Sequence, residues 1–426
     1  MALYAGAARE IITPEVGGLL FGYNNHTRST SVNDDLTVTA LALKNGDVTT
    51  LLLSATVCLI RNDLADRIRK ETGELAGIPA DNVILAATHT HSGPHTTGFS
   101  QFTHFGKMDT EYCENIFIPK CLAAAKAAFA ALAPAKMGVG TTDSKVGINR
   151  RQLLRDGSVM LGQNPWDPHD STMTVITFLG DNGKPIANIV HYGAHPTAAG
   201  NNHEITRDWV GVMIDRLEEE SGAMTLFVNG TQGDVAPRMA NGGSTGDMKH
   251  VMEVGGVAAI DATRAYKTIR TFYDEPLNVV SDMIKLPYKP PIPEDEISNR
   301  LAECGEHKAF ERASLEALAE MYKSGDMGPD DWTMRQSIMR IGPVVLVPFP
   351  FETSSELGLR LRTYSPFAHT LLLSCTNGCN SYMPAESQLC RGGYEIESFK
   401  WFRPRQLPDD SDRLLVDQNV SLIEKI

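Results

Sequence analysis

Two histidines one residue apart, His89 and His91, follow directly on the apolar run Val83–Ala87. On extended backbone, residues i and i+2 face the same side, so both imidazoles can approach one ion or one substrate. Neutral imidazole is a frequent zinc ligand, and a catalytic zinc site takes about three protein ligands plus an open position. A pair of hydrogen-bonded loop histidines satisfies the same short pattern. His195 follows a second apolar strand, where a core histidine bonded to a backbone carbonyl is the default. Glu352 ends the apolar run Val344–Phe351 just ahead of an expected helix. Burying an unpaired carboxylate is costly, so Glu352 needs either the helix N-terminus or a metal ion, and its position leaves both open. Asn149-Arg150-Arg151 offers a guanidinium suited to a carbonyl or carboxylate oxygen, with a surface ion pair as the plain alternative. Cys375, Cys379 and Cys390 have a zinc-like spacing but lack a second ligand pair, so buried thiols acting as small hydrophobes are expected. The loop Asn229–Asp234 is glycine-rich after a strand, yet it has neither the phosphate-binding lysine nor the dinucleotide spacing, which rules out a nucleotide loop.

The elements that must position these groups alternate between strand and helix. Residues 37–44 and 48–54 read as a hairpin on an Asn45-Gly46 turn, and 172–180 with 186–193 as a second one. Helices are expected at 62–76, started by Asn62 or Asp63, at 110–133, 208–220, 249–271 and 353–363. Strands are expected at 83–87, 224–229, 277–286, 368–374 and twice within 337–351. An acidic, proline-rich segment at 289–296 opens one charged helix running to about 323, and the C-terminal tail reads as loop-rich. The polar clusters at His89/His91, His195, Asn229–Asp234, Glu352 and Cys375–Tyr382 each come just after an apolar strand. In α/β sheets the carboxyl ends of strands line the ligand crevice. The expectation is an α/β fold of mixed sheets layered with helices, with the active site at strand carboxyl ends. It would form a single catalytic domain over 1–426, with 289–331 a helical insertion or lid.

Composition narrows the function classes. The chain has 426 residues, 42% hydrophobic and 21% charged, with a formal net charge of −13. That excludes a basic nucleic-acid footprint and disfavours anionic membrane surfaces. No apolar run reaches the length of a spanning helix. Seven cysteines thinly spread over such a length do not make a secreted disulfide framework. No basic segment followed by an apolar one opens the chain, so a cytoplasmic location is expected. A small-molecule substrate fits this profile, and self-association into a homo-oligomer is compatible with it.

The ordered motifs resemble the neutral (non-lysosomal) ceramidase family, specifically its N-terminal catalytic domain. The resemblance runs from GAAREIITP at 6–14 and Phe21-Gly22-Tyr23 through Asp34-Asp35-Leu36, ATHTHSGP at 87–94, Ile148-Asn149-Arg150 and MTVITF at 173–178. It continues with Ala194-His195-Pro196-Thr197, Gly233-Asp234-Val235-Ala236-Pro237, Pro350-Phe351-Glu352, Asn380-Ser381-Tyr382 and Tyr394-Glu395. It implies a zinc ion held by His89, His195, Glu352 and Tyr382. His91 would act on the substrate or the attacking water, with Arg150 and Tyr394 polarising the scissile carbonyl. Gly22, His95, Asn149 and Ala236 would border the substrate. The implied reaction is zinc-dependent cleavage of an amide (N-acyl) bond by activated water. An ester or lactone hydrolase, or a non-catalytic ligand-binding homologue, are the other readings. Ala236 stands where the family pattern has serine, which excludes a serine-acyl route at that position. His95-Thr96 replaces a glycine pair, and the length leaves little space for the family's C-terminal β-sandwich. A substrate smaller or more polar than ceramide is therefore expected.

Overall fold

The hairpin on Asn45-Gly46 forms as expected. Thr37–Asn45 pairs antiparallel with Val48–Ala55, Asn45 opposite Val48, and Gly46 takes the left-handed backbone such a turn requires. The computed structural model describes residues 2–98, 106–305 and 308–426. In it the hairpin belongs to a nine-stranded sheet. Its order is Met224–Asn229, Pro185–Tyr192, Thr172–Gly180, Ala133–Asp143, Leu3–Ile11, Thr37–Asn45, Val48–Ala55 and Val83–Ala87, with Phe272–Tyr273 also pairing Ala133–Asp143. A four-stranded sheet runs Leu277–Pro287, Asp331–Ile341, Val344–Pro348 and His369–Leu373.

Strand alternation sorts side chains into layers. Leu41, Leu43, Leu52, Ile84 and Phe178 meet Met339, Ile341, Leu346 and Leu371 in an apolar layer between the two sheets. On the other face of the large sheet, Ala40, Ala42, Leu51 and Leu53 pack against the helices Asn62–Ala76 and Ile118–Ala130. Val175, Val190 and Phe227 on that face pack against Asp208–Ser221 and Met248–Lys267. The small sheet turns Val345, Val347 and Leu372 outward to Ser355–Tyr364 and Ser411–Ile423. The architecture is helix, sheet, sheet, helix: an α/β fold of mixed sheets layered with helices. Among the described residues no helix is long and apolar enough to cross a membrane.

Several expected elements differ. The alanine-rich helix contains a π-helical turn at Cys113–Phe117 and ends at Ala130, because the chain enters the strand Ala133–Asp143 three residues later. That strand carries no apolar run. Gly138 and Gly140 let the end of helix Met248–Lys267 approach so closely that a Cβ on Gly140 would lie 2.2 Å from the Ala265 carbonyl oxygen. Helix Asn62–Ala76 is preceded by Arg61 with no side-chain cap. Asn62 instead accepts the Cys379 N–H at 2.7 Å. The segment 289–331 forms two helices, Glu294–Glu303 and Ala309–Ser324, rather than one. It joins strands paired along their whole length, from Leu277 opposite Ile341 to Pro287 opposite Asp331. The tail is not loop-rich: it contains the helices Tyr394–Trp401 and Ser411–Ile423.

Candidate metal centre

Three parallel strand pairs aim their carboxyl ends at one place. Val48–Ala55 runs parallel to Val83–Ala87, Pro185–Tyr192 to Met224–Asn229, and Val344–Pro348 to His369–Leu373. The loops that follow carry His89, His91, His195, Asn229–Asp234, Glu352 and Tyr382. A short parallel bridge sets Glu352 directly opposite Tyr382.

His89 does not sit on regular extended backbone, as the i, i+2 argument supposed. Its φ is +78°, a left-handed conformation that β-carbons disfavour, and its N–H is pinned to the Val57 carbonyl at 2.9 Å. The two imidazoles still converge, with the Nε2 atoms of His89 and His91 3.3 Å apart. Gly22 makes room for them. Its φ is +132°, and a Cβ there would stand 2.5 Å from the His91 ring.

Backbone carbonyls decide which nitrogens are free. His89 Nδ1 lies 2.9 Å from the Cys58 carbonyl, and His195 Nδ1 lies 2.8 Å and 3.0 Å from those of Gln232 and Val235. A carbonyl only accepts, so each Nδ1 carries the proton, and His195 Nε2 presents a lone pair. Burial would lower the His89 pKa, but Cys58, Cys375 and Glu352 outweigh it and hold His89 well above its usual range, so a cation at its Nε2 would have to displace a proton. Glu352 Oε2 is 3.3 Å from His89 Nε2 and 3.1 Å from His195 Nε2. The Tyr382 hydroxyl is 3.4 Å from His195 Nε2. These spacings match the edge, about 3.3 Å, of a tetrahedron whose bonds to a central ion are about 2.0 Å. The donor set therefore fits a zinc-sized cation. Among the described residues, the groups of histidine, cysteine and carboxylate close enough to share an ion are His89–His195–Glu352 and Cys58–His89–His91.

Electrostatics favour the same centre. Burial alone would raise the Glu352 pKa, but His89 and His195 override it and hold the carboxyl well below its usual range. Burial, followed by the Arg150 cation, pushes His195 down to about 4. Burial beside His89 and His195 keeps His91 neutral. Glu352 is thus committed to the histidines and does not cap the following helix.

Arg150 stands at the edge of this cluster. Its Nη1 is 2.9 Å from His195 Nε2 and its Nη2 donates to the Tyr382 hydroxyl at 3.0 Å. Its Nε donates to Glu395 Oε1 at 2.8 Å, while Arg151 Nη1 donates to Glu395 Oε2 at 2.6 Å. One buried carboxylate thus fixes two buried guanidinium groups, and Arg150 is far from the surface ion pair that sequence alone allowed. Glu395 had only its place in the Tyr394-Glu395 motif to mark it. Asn229 is a second group without a sequence signal beyond its strand end. It donates to the carbonyls of Thr88 and Ala194 at 3.1 and 3.3 Å, the residues just before His89 and His195. Asp234 accepts the Ser355 N–H and hydroxyl at 2.8 Å each and the Gln388 amide at 2.9 Å, and burial pushes its carboxyl up to about 6.

A small, partly open pocket lies over the cluster. His89, His91, Glu352 and Tyr382 form its floor, and Phe21, Leu59, Phe310, Tyr394 and Phe402 contribute to its wall. Gly22 lies at its edge, as does Cys379. His95, Asn149 and Ala236 are buried and are not among its described lining. Asn149 spends its amide on the Pro168 carbonyl and Asp234 and its oxygen on the Arg151 N–H. Ala236 pairs with Ile148 in a short strand, and His95 packs edge-on to Phe21. Cys58 and Cys375 place their sulfurs 3.6 Å from His89 Nδ1, and burial raises both thiols. Cys390 is exposed, and among the described residues Cys375, Cys379 and Cys390 are not a group close enough to share an ion.

The sequence profile of the family described as neutral/alkaline non-lysosomal ceramidase, N-terminal, matches residues 5–253. The chain belongs to this family. Neutral ceramidase A of Dictyostelium discoideum is 28% identical over 204 residues, covering 43% of this chain and 28% of that protein. The neutral ceramidase of Pseudomonas aeruginosa is 28% identical over 170 residues, covering 37% of this chain and 25% of its own length. The chain thus aligns with only about a quarter of the length of these curated relatives. The crystal structure of the Pseudomonas aeruginosa neutral ceramidase superposes on all of this chain and 75% of its own, with a TM-score of 0.76 at 19% identity. A ceramidase complexed with C2 gives the same TM-score at 18% identity, covering 76% of that structure. The profile match includes His89, His91, Arg150 and His195. Glu352, Tyr382 and Tyr394 lie beyond it, in the part where likeness is carried by the fold.

Proposed function

We propose that this chain is a zinc-dependent hydrolase that cleaves an amide (N-acyl) bond. The observation that supports it is the convergence of two carbonyl-oriented Nε2 atoms, a carboxylate oxygen and a phenol oxygen beside one buried guanidinium. His89, His195, Glu352 and Tyr382 would hold the ion. Zinc in such a site supplies Lewis acidity and makes water nucleophilic near neutral pH. His91, neutral and in contact with His89, is placed to take a proton from the attacking water and return it to the departing nitrogen. Glu395, Tyr382 and Glu352 outweigh burial and keep Arg150 charged. Its two terminal nitrogens, at 2.9 Å from His195 Nε2 and 3.0 Å from the Tyr382 hydroxyl, put a fixed positive charge beside the proposed ligands, where it would stabilise a carbonyl oxygen gaining negative charge next to the ion. Tyr394, with its ring 5.5 Å from that of Tyr382, shares that side of the pocket. Activated water is the proposed nucleophile, and Ala236, outside the described pocket lining, offers no hydroxyl to compete with it. The aromatic wall supports a substrate whose acyl group is small and apolar.

The test is metal analysis of the purified chain followed by a paired panel of N-acyl and O-acyl compounds. One zinc per chain with release of amine is expected. Absence of bound metal, or release of alcohol alone, would overturn the assignment.

A further inference from the structure

The segment 289–331 is fastened in place. Ser314 donates to the Arg403 carbonyl at 2.8 Å, and Arg405 donates to the carbonyls of Met327 and Pro329 at 3.2 and 2.7 Å. The Lys289 N–H donates to the Gln406 carbonyl at 2.8 Å. Trp401 packs on the segment's small apolar cluster of Ile297, Cys304, Leu315 and Leu318. The Arg403 guanidinium lies over the rings of Trp332, Phe351 and Phe402, at 6.0, 5.6 and 5.4 Å. These contacts tie the segment to the chain just before Glu352 and just after helix Tyr394–Trp401. A movable flap would be held at its hinges. The second helix of this segment is held between the segment's ends as well, by Ser314 and by the packing of Trp401 on the cluster that includes Leu315 and Leu318, as part of a wall is.

One of its side chains reaches the pocket. Phe310, in the first turn of helix Ala309–Ser324, meets Tyr394 with ring centroids 6.2 Å apart. Tyr394 in turn meets Tyr382 at the floor. The three rings form a row along the pocket lining, from Tyr382 at the candidate metal centre through Tyr394 to Phe310. We propose that Phe310 is a specificity-determining residue, a fixed stop that limits the pocket to a single short apolar or aromatic acyl group. This rests on the hydrolase reading for the direction in which the acyl group lies. A substituent running along Tyr394 gains from each methylene until it reaches Phe310, and beyond that it must bend into water. While the wall lasts, each buried methylene tightens binding about fourfold.

The experiment titrates the zinc-loaded protein with butanoate, octanoate and dodecanoate by calorimetry, in the wild type, Phe310→Ala and Phe310→Trp. The wild type is expected to tighten from butanoate to octanoate and gain little at dodecanoate. Phe310→Ala should gain about tenfold or more from octanoate to dodecanoate, and Phe310→Trp should move the plateau to shorter chains, with zinc per chain equal in all three. Superimposable profiles, or unbroken tightening through dodecanoate in the wild type, overturn the proposal. Turnover of the matching N-acyl amides is measured in parallel. A length profile that shifts while no amide is cleaved keeps Phe310 as the stop and defeats the catalytic reading alone.

Discussion

His89 and His195 owe the direction of their Nε2 atoms to backbone carbonyls, which no side-chain pattern records. Each Nε2 is therefore poised without a neighbouring carboxylate on its Nδ1 side, and its ring cannot turn without breaking a buried hydrogen bond, at a cost of about 1 kcal/mol or more. If the four donors share one ion, removing one imidazole should empty the site: His89→Ala is expected to lose zinc and activity together, read by elemental analysis and turnover. Stoichiometric zinc in that variant would show that His89 is no ligand. Arg150→Ala should behave differently. With the ligands intact, zinc content should stay equal to wild type while turnover drops by about 10²–10³, the range for losing one oxyanion donor. Equal turnover would remove Arg150 from the reaction. At this scale the residues alone left His89, His195 and Glu352 each with a plain alternative, and it was the order of the family motifs that grouped them with Tyr382, because a polar side chain ending an apolar strand shows that a partner is needed but not which one. Glu395 was not legible as the partner of Arg150, since residues 245 positions apart share no local pattern.

Helix Asp208–Ser221 shows how an element positions a candidate-site histidine it does not contain. Its first residue, Asp208, sits at φ +59° and accepts the N–H groups of Ala198, Ala199 and Trp209. The Trp209 indole then donates to the His195 carbonyl at 3.0 Å. Burial pushes the Asp208 carboxyl up to about 6, above its unfolded value near 3.9. The folded state therefore binds this proton more tightly than the unfolded chain does, and the associated stability, full below about pH 4, is lost as pH rises to about 6. Asparagine does not titrate and tolerates left-handed backbone. Relative to wild type, Asp208→Asn should thus gain stability between pH 4 and 6, by on the order of 2–3 kcal/mol, and stay level above pH 7. Denaturant unfolding at several pH values reads this directly, and a pH-independent difference would contradict it. Elements with apolar periodicity, such as this helix and the Asn45-Gly46 hairpin, were legible. The strand Ala133–Asp143 was not, because glycines serving close helix approach replace its apolar signal. The break between Glu303 and Ala309 was hidden in a continuous charged stretch.

Over the whole molecule, the candidate centre is where two sheets are joined. The sequence showed clusters at strand ends but not that those ends belong to two sheets stacked face to face, because the apolar layer between them is assembled from alternate residues of distant strands. His89 and His195 leave the nine-stranded sheet, while Glu352 and Tyr382 follow strands of the small one. Polar links join the two sides at both ends: Asp81, just before Val83–Ala87, accepts from Ser281 at 2.7 Å and from Arg335 at 2.6 Å, and others cluster beside the candidate centre. The Ser374 N–H donates to the Asn229 carbonyl at 2.9 Å, Asn377 N–H to Leu85 at 2.7 Å, and Ala87 N–H to Cys375 at 3.1 Å. An ion gripped from both sides adds a link present only in the native state, so it stabilises by mass action, about 4 kcal/mol when free metal exceeds its dissociation constant a thousandfold. Dialysis against a chelator should therefore lower the thermal midpoint by several degrees for a chain of this size, and zinc should restore it. Magnesium should not, since imidazole nitrogens suit zinc and the harder ion prefers oxygen and water. In His89→Ala the midpoint should no longer respond to chelator. If metal is removed from the wild type and its midpoint does not move, the ion does not bridge the two sheets, and the four side chains do not act as one site.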